Sequence, residues 1–225
     1  MVYVTAGDPH LEHVSLYALD AGTGQEMWSL APAGVALFDP VVTGDTLFVQ
    51  GSISASVDSV GGERPPDRTP SRPVFLALDA RGGTERWRYD GRGDAVVAGG
   101  AVFLAEDQEG QTTVVALDAS SGRELWRSTG VGSDGWSPTL AYAQGVVYQD
   151  LRGDPQSLPE PLRSAADLVG VASKGGVRAL DAATGVELWR FEEARGGVAT
   201  AIGNGAIYLI GSGDDSFVMA LDDEQ

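Results

Sequence analysis

One segment is spelled almost identically four times: "LYALDAGTGQEMWSL" at 16–30, "FLALDARGGTERWRYD" at 75–90, "VVALDASSGRELWRST" at 114–129 and "VRALDAATGVELWRFE" at 177–192. A fifth copy opens at 218 as "VMALDDEQ". The Asp of each "ALD" stands at Asp20, Asp79, Asp118, Asp181 and Asp222, at intervals of about 40 or about 60 residues. A period near forty, rich in short apolar runs, is that of a repeated four-stranded unit, and the longer intervals carry insertions of roughly twenty residues.

The strands, labelled A to D, can be read inside one unit. "DAVVAGGAVFLAE" at 94–106 is two apolar runs around a Gly pair, a hairpin. "TTVVALDASSGRELWRS" supplies two more runs around "DASSG". The A runs are small and apolar ("PVV", "AVV", "PTLAYA", "VATAI"), as an innermost strand requires, and the B runs are bulkier ("TLFVQ", "AVFLA", "AIYLI"). The B runs do not alternate cleanly between polar and apolar, which fits sheets covered on both faces.

Within the repeat, "LDAxxG" reads as a turn. Asp20, Asp79, Asp118 and Asp181 can bond the backbone ahead of them, and Gly24, Gly83, Gly122 and Gly185 can adopt positive φ. Trp28, Trp87, Trp126 and Trp189 each follow their Asp by eight residues, on strand D. One ring at the same place in every unit is expected to dock against the next unit; a cofactor or sugar platform is the competing use.

The pattern "LYALDAGTGQEMW … VVTGDTLFVQG" resembles the PQQ-type β-propeller repeat, named for pyrroloquinoline quinone. The resemblance covers the chain apart from its insertions. It implies an all-β fold of four-stranded antiparallel blades, with four to five blades present and blade segments near 1–30, 37–90, 94–128, 137–191 and 197–225, in a single domain over 1–225. Family rings have seven or eight blades, and the first and last copies here are incomplete. The chain is therefore expected to be part of a larger ring whose remaining blades lie outside it, the alternative being an unusual ring that closes with about five. The family includes quinoprotein dehydrogenases, an outer-membrane assembly lipoprotein and sensor regions of receptor kinases, so the resemblance specifies fold and leaves function open.

Charge narrows the partners. Acidic residues number 32 against 15 basic ones, a formal net charge of −17, which repels nucleic acid and anionic membrane. No apolar run is long enough to span a membrane, and the segment from Met1 lacks the marks of a signal peptide. With no Cys there is neither disulfide nor thiolate chemistry, and both His fall in "HLEH" (His10, Glu12, His13), whose spacing matches no known metal site. "EDQEG" (106–110) and "GSGDD" (211–215) read as solvated acidic loops without calcium-loop spacing. A Ser–His–Asp site, a Walker loop and a dinucleotide fingerprint are all missing.

The larger insertions, 51–73 and 151–175, both join strand B to strand C. Strands alternate up and down, so B–C loops emerge on the same side as D–A connections. That side is the expected ligand face, with Trp136 and Asp134 in a D–A connection and Arg152 and Asp154 in the second insertion. The Pro-, Ser- and Gly-rich composition is equally that of tolerated surface drift. The foremost expectation is a non-catalytic module without cofactor, binding a protein, peptide or envelope ligand and, by resemblance, lying outside the cytoplasm of a bacterium. A PQQ- and calcium-dependent dehydrogenase is the alternative, though the family's vicinal disulfide has no counterpart here and no catalytic residue transfers. A structural or oligomerisation scaffold is the third reading.

Overall fold

The computed structural model describes residues 1–7, 14–32, 34–53, 72–91, 93–108, 111–132, 139–151, 174–195, 198–203, 206–211 and 217–222. The chain divides into two compact units, Met1–Arg92 and Gly93–Gln225.

The first unit holds two antiparallel sheets. β1 (Val2–Gly7), β2 (Val14–Leu19) and β3 (Glu26–Leu30) form a three-stranded meander. β4 (Val35–Thr43), β5 (Thr46–Ile53), β6 (Arg72–Asp79) and β7 (Glu85–Tyr89) form a four-stranded one. Leu16 of the first sheet packs with Leu37, Leu47, Val49, Val74, Leu76 and Leu78 of the second, all buried. Each such side chain contributes about 1.5–3 kcal/mol through removal from water.

The second unit holds three sheets. Two are four-stranded: β8 (Asp94–Ala98), β9 (Ala101–Gln108), β10 (Gln111–Asp118) and β11 (Glu124–Gly132), then β12 (Leu140–Ala143), β13 (Val146–Leu151), β14 (Lys174–Asp181) and β15 (Glu187–Arg195). β16 (Val198–Gly203), β17 (Ala206–Gly211) and β18 (Phe217–Asp222) make the third. Phe103, Ala105, Val114 and Ala116 of one sheet share a core with Leu140, Val147 and Leu180 of the next.

In the four-stranded sheets the B and C strands are buried along most of their length, as in β5 and β10, because both faces of the sheet are covered, whereas β1 is mostly exposed and β2 is buried only at alternate residues. The A strands are less covered. All of β8 is only half-buried, and Val41 and Val42 of β4 are exposed, since an edge strand is flanked by a partner on one side alone. The insertions are also shorter than their composition suggested. Pairing continues to Ile53↔Arg72 and Leu151↔Gly176, leaving 54–71 and 152–173 between the strands.

Every complete C–D pair carries the same irregularity. Ala18 faces Trp28 and Leu19 faces Glu26, so Met27 is an extra residue; Arg86, Leu125 and Leu188 are extra in the same way. Such a bulge turns the outer strand by one residue and strengthens its local twist.

Candidate functional site

In a meander the A–B and C–D connections share one end of the sheet, and the B–C and D–A connections the other. The first end is fastened by its own hydrogen bonds. Asp20 Oδ1 accepts from the Gly22 and Thr23 backbone N–H groups and from the Thr23 hydroxyl. Asp79, Asp118 and Asp181 accept in the same manner. These bonds favour the ionised form and hold the carboxyls of Asp20, Asp118 and Asp181 below their ordinary range, Asp118 at about 2, while Asp79 is held low first by the Arg86 guanidinium and then by its turn bonds. The residue after three of these aspartates ties the C–D turn to the A–B hairpin: Ala80 N donates to Asp45 O, Ala119 N to Gly100 O and Ala182 N to Gly145 O. In the second sheet Arg86 adds bonds to Asp45, Thr46 and Asp79.

Two of the repeated indoles, Trp28 and Trp126, reach the neighbouring sheet at this end. Trp28 Nε1 donates to Ala80 O at 3.2 Å, and Tyr3 hydroxyl donates to the same carbonyl at 2.8 Å. Trp126 Nε1 donates to Ala182 O at 3.0 Å. The turn glycines have a second duty here. A Cβ on Gly83 would stand 2.9 Å from Trp28 Cε3, and one on Gly185 would stand 2.5 Å from Trp126 Cε3. Trp87 lies against Phe48 and Phe75 of its own sheet, and Trp189 against Tyr148.

The opposite end bears the insertions, and near it the second unit buries polar groups. Among the described residues Glu106, Thr112, Thr113, Gln149, Asp150 and Arg178 are buried there; the first unit buries only Thr46 of this kind. Glu106, expected in a solvated loop, lies in β9 instead, buried and ion-paired to Arg127 at 3.2 Å. Asp150 accepts from the Thr139 backbone N–H, and Asp94 accepts from Leu140 N of the adjoining sheet at 2.8 Å.

Arg178 is 1% exposed and crosses between sheets. Its Nε donates to Gln149 Oε1 at 2.5 Å, while its Nη1 and Nη2 donate to the carbonyls of Thr129 and Ser128 at 3.3 and 3.1 Å. Glu187 is 3.9 Å away and also holds Arg190 at 2.7 Å. Burial pushes the Arg178 guanidinium down to about 10, still charged at neutral pH. A Cβ on Gly130 would lie 2.9 Å from Nη2, so a side chain there would displace the arginine.

The expected ligand-face residues Asp134, Trp136, Arg152 and Asp154, together with His10, Glu12, His13 and 212–216, lie outside the described residues. Among the described residues no three His, Cys, Asp or Glu side chains come together as a metal site. Gln149 and Arg178 were not singled out from the sequence. The signal was present as "VRALD", where the other copies carry Tyr, Leu, Val or Met before "ALD".

The family profile described as outer membrane protein assembly factor BamB matches residues 2–93 and 72–224. No curated protein sequence matches the chain. Among solved structures, BamB from Moraxella catarrhalis is 20% identical with a TM-score of 0.51, over 97% of this chain and 57% of that one. The quinohemoprotein alcohol dehydrogenase ADHIIG from Pseudomonas putida HK5 is 18% identical with a TM-score of 0.56, over 94% of this chain and 39% of that one. The quinohemoprotein alcohol dehydrogenase from Comamonas testosteroni is 17% identical with a TM-score of 0.57, over 94% and 40%. The chain thus spans 57% or less of the length of each. At these identities the likeness is one of fold, a partial β-propeller.

Proposed function

Because this chain belongs to the outer membrane protein assembly factor BamB family of PQQ-type propellers, we propose that it is a non-catalytic module binding a protein or peptide partner of the bacterial cell envelope. The partner meets the end of the sheets that carries the B–C insertions. One observation supports this reading: elaboration is confined to one end, while the other end is fastened by Asp turns, hairpins and docked indoles. A rigid frame with variable loops at one end is suited to recognition.

The test places a photo-crosslinking side chain at position 136 or 154 and, on the fastened end, at position 121, in the full chain inside its native host. Adducts of discrete mass are expected from 136 and 154 and none from 121. Equal yields from both ends, or none from either, would refute the proposal.

The dehydrogenase reading competes because two of the structural relatives are quinohemoprotein alcohol dehydrogenases. Titration with PQQ and calcium, followed by Trp fluorescence and dye-coupled alcohol oxidation, separates the two. Saturable quenching with dye reduction would favour the enzyme; a flat response is expected.

A further inference from the structure

The repeats supply their own control for the buried arginine. The cross-strand pair two residues before the "ALD" leucine is Val4↔Tyr17 in the first sheet, Val49↔Leu76 in the second, Leu104↔Val115 in the third and Leu209↔Met219 in the fifth. In the fourth sheet alone it is Gln149↔Arg178. That sheet also bears the longest B–C insertion, 152–173.

An apolar pair would pack here at lower cost. A buried guanidinium gives up its hydration, and its replacement by a hydrophobe is often neutral or stabilising. Gln149 adds a second expense, because its Nε2 is buried without a hydrogen-bond partner. A leucine at 149, as at 104, would remove that orphan but leave Arg178 Nε without its acceptor. Gln149 is therefore held by what it does for the arginine. Gly130 completes the arrangement by leaving its side-chain space to the guanidinium. Three strands have given up ordinary packing for one connection.

The location of that connection says what it holds. Ser128 and Thr129 lie near the end of β11, just before the segment that contains Asp134 and Trp136. Gln149 lies three residues before the 152–173 insertion, and Arg178 shortly after it. We propose that Arg178, oriented by Gln149, is a positioning residue that ties the end of β11 to β13 and β14 where the 133–138 and 152–173 segments leave the sheets. Its purpose rests on the binding function proposed above; the clamp itself can be tested without a partner.

The experiment compares the full chain with the double variant Gln149→Leu/Arg178→Leu, which restores the apolar pair of the other sheets, and with Arg178→Lys, which keeps the charge but cannot bridge two carbonyls and an amide. The double variant is expected to melt within a few degrees of the wild type. Amide exchange at 128–130 and 149–151 should quicken about tenfold or more in both variants, with the Asp181–Glu187 turn unchanged. Photo-adducts from position 136 should fall relative to those from 154. Wild-type exchange at both roots, or acceleration spread evenly over both ends of the sheet, would overturn the proposal and leave Arg178 as packing. A wild type that forms no adducts would refute the binding function, and the exchange result would still decide the clamp.

Discussion

Substituting Gly83 and Gly24 by alanine, separately, isolates the contact between the first two sheets. The two glycines belong to one unit and have the same kind of turn and conformation: φ is 69° at Gly83 and 71° at Gly24, and each N–H donates to its aspartate carbonyl at 2.8 Å. The backbone cost of placing an L-residue there, about 1–2 kcal/mol, is common to both. What differs is the space ahead of the new methyl. At 24 nothing lies within 4 Å, whereas at 83 the Trp28 ring stands at 2.9 and 3.0 Å. That ring is pinned by its bond to Ala80 O and by Tyr3, so it cannot move without loss. Overpacking of this kind costs about 1–3 kcal/mol. Gly24→Ala should thus lose about 1–2 kcal/mol and Gly83→Ala about 2–5 kcal/mol. Urea unfolding, followed by circular dichroism and by Trp fluorescence, measures both. In a Trp28→Leu background the excess at Gly83 should vanish, because the obstruction has been removed. Equal losses for the two glycines, within about 0.5 kcal/mol, would show that the Trp28 contact does not hold the sheets in place.

Three further outcomes follow from the same frame. Trp126→Phe keeps an aromatic ring but loses the donor to Ala182 O, and should cost about 1 kcal/mol in the same urea assay; no change would mean the bond is replaced by water. Asp118 titrates at about 2 in the folded chain against an ordinary 3.8, so its stabilising contribution is complete above about pH 4 and disappears as pH falls to about 2. A carboxyl-carbon NMR titration should find that low midpoint, and Asp118→Asn should flatten the acid limb of stability; a midpoint near 3.8 would contradict the turn geometry. Replacing 54–71 by a short Gly-Ser turn should leave the strand signal intact and shift the melting temperature by only a few degrees, since closure entropy varies slowly with loop length. Loss of the strand signal would show that the insertion helps hold the sheets together.

The repeated unit was legible because its local rules coincide. Asp and Gly set the C–D turn, paired glycines set the hairpin at 99–100, and apolar runs set the strands. Less visible were features that need a second sheet. Gly83 and Gly185 read as turn formers, yet each also leaves its face bare for an indole from another repeat. The extra residues Met27, Arg86, Leu125 and Leu188 could not be recognised, because a bulge is a mismatch between two strands and neither strand records it alone. Glu106 read as loop because acidity suggests solvent, while its burial depends on Arg127. The Gln149–Arg178 pair did leave a trace, a break in an otherwise apolar column, visible only when the copies are aligned by register.

Trp28 rests on Gly83 and Trp126 on Gly185, so in these two pairs an indole on the outer strand of one repeat meets a bare glycine in the turn of the following one. Each pair is a plug and a socket of the same gauge. A deletion or insertion that keeps the indole and its partner glycine in successive repeats would preserve such a joint, whereas one that ends between them would separate the two.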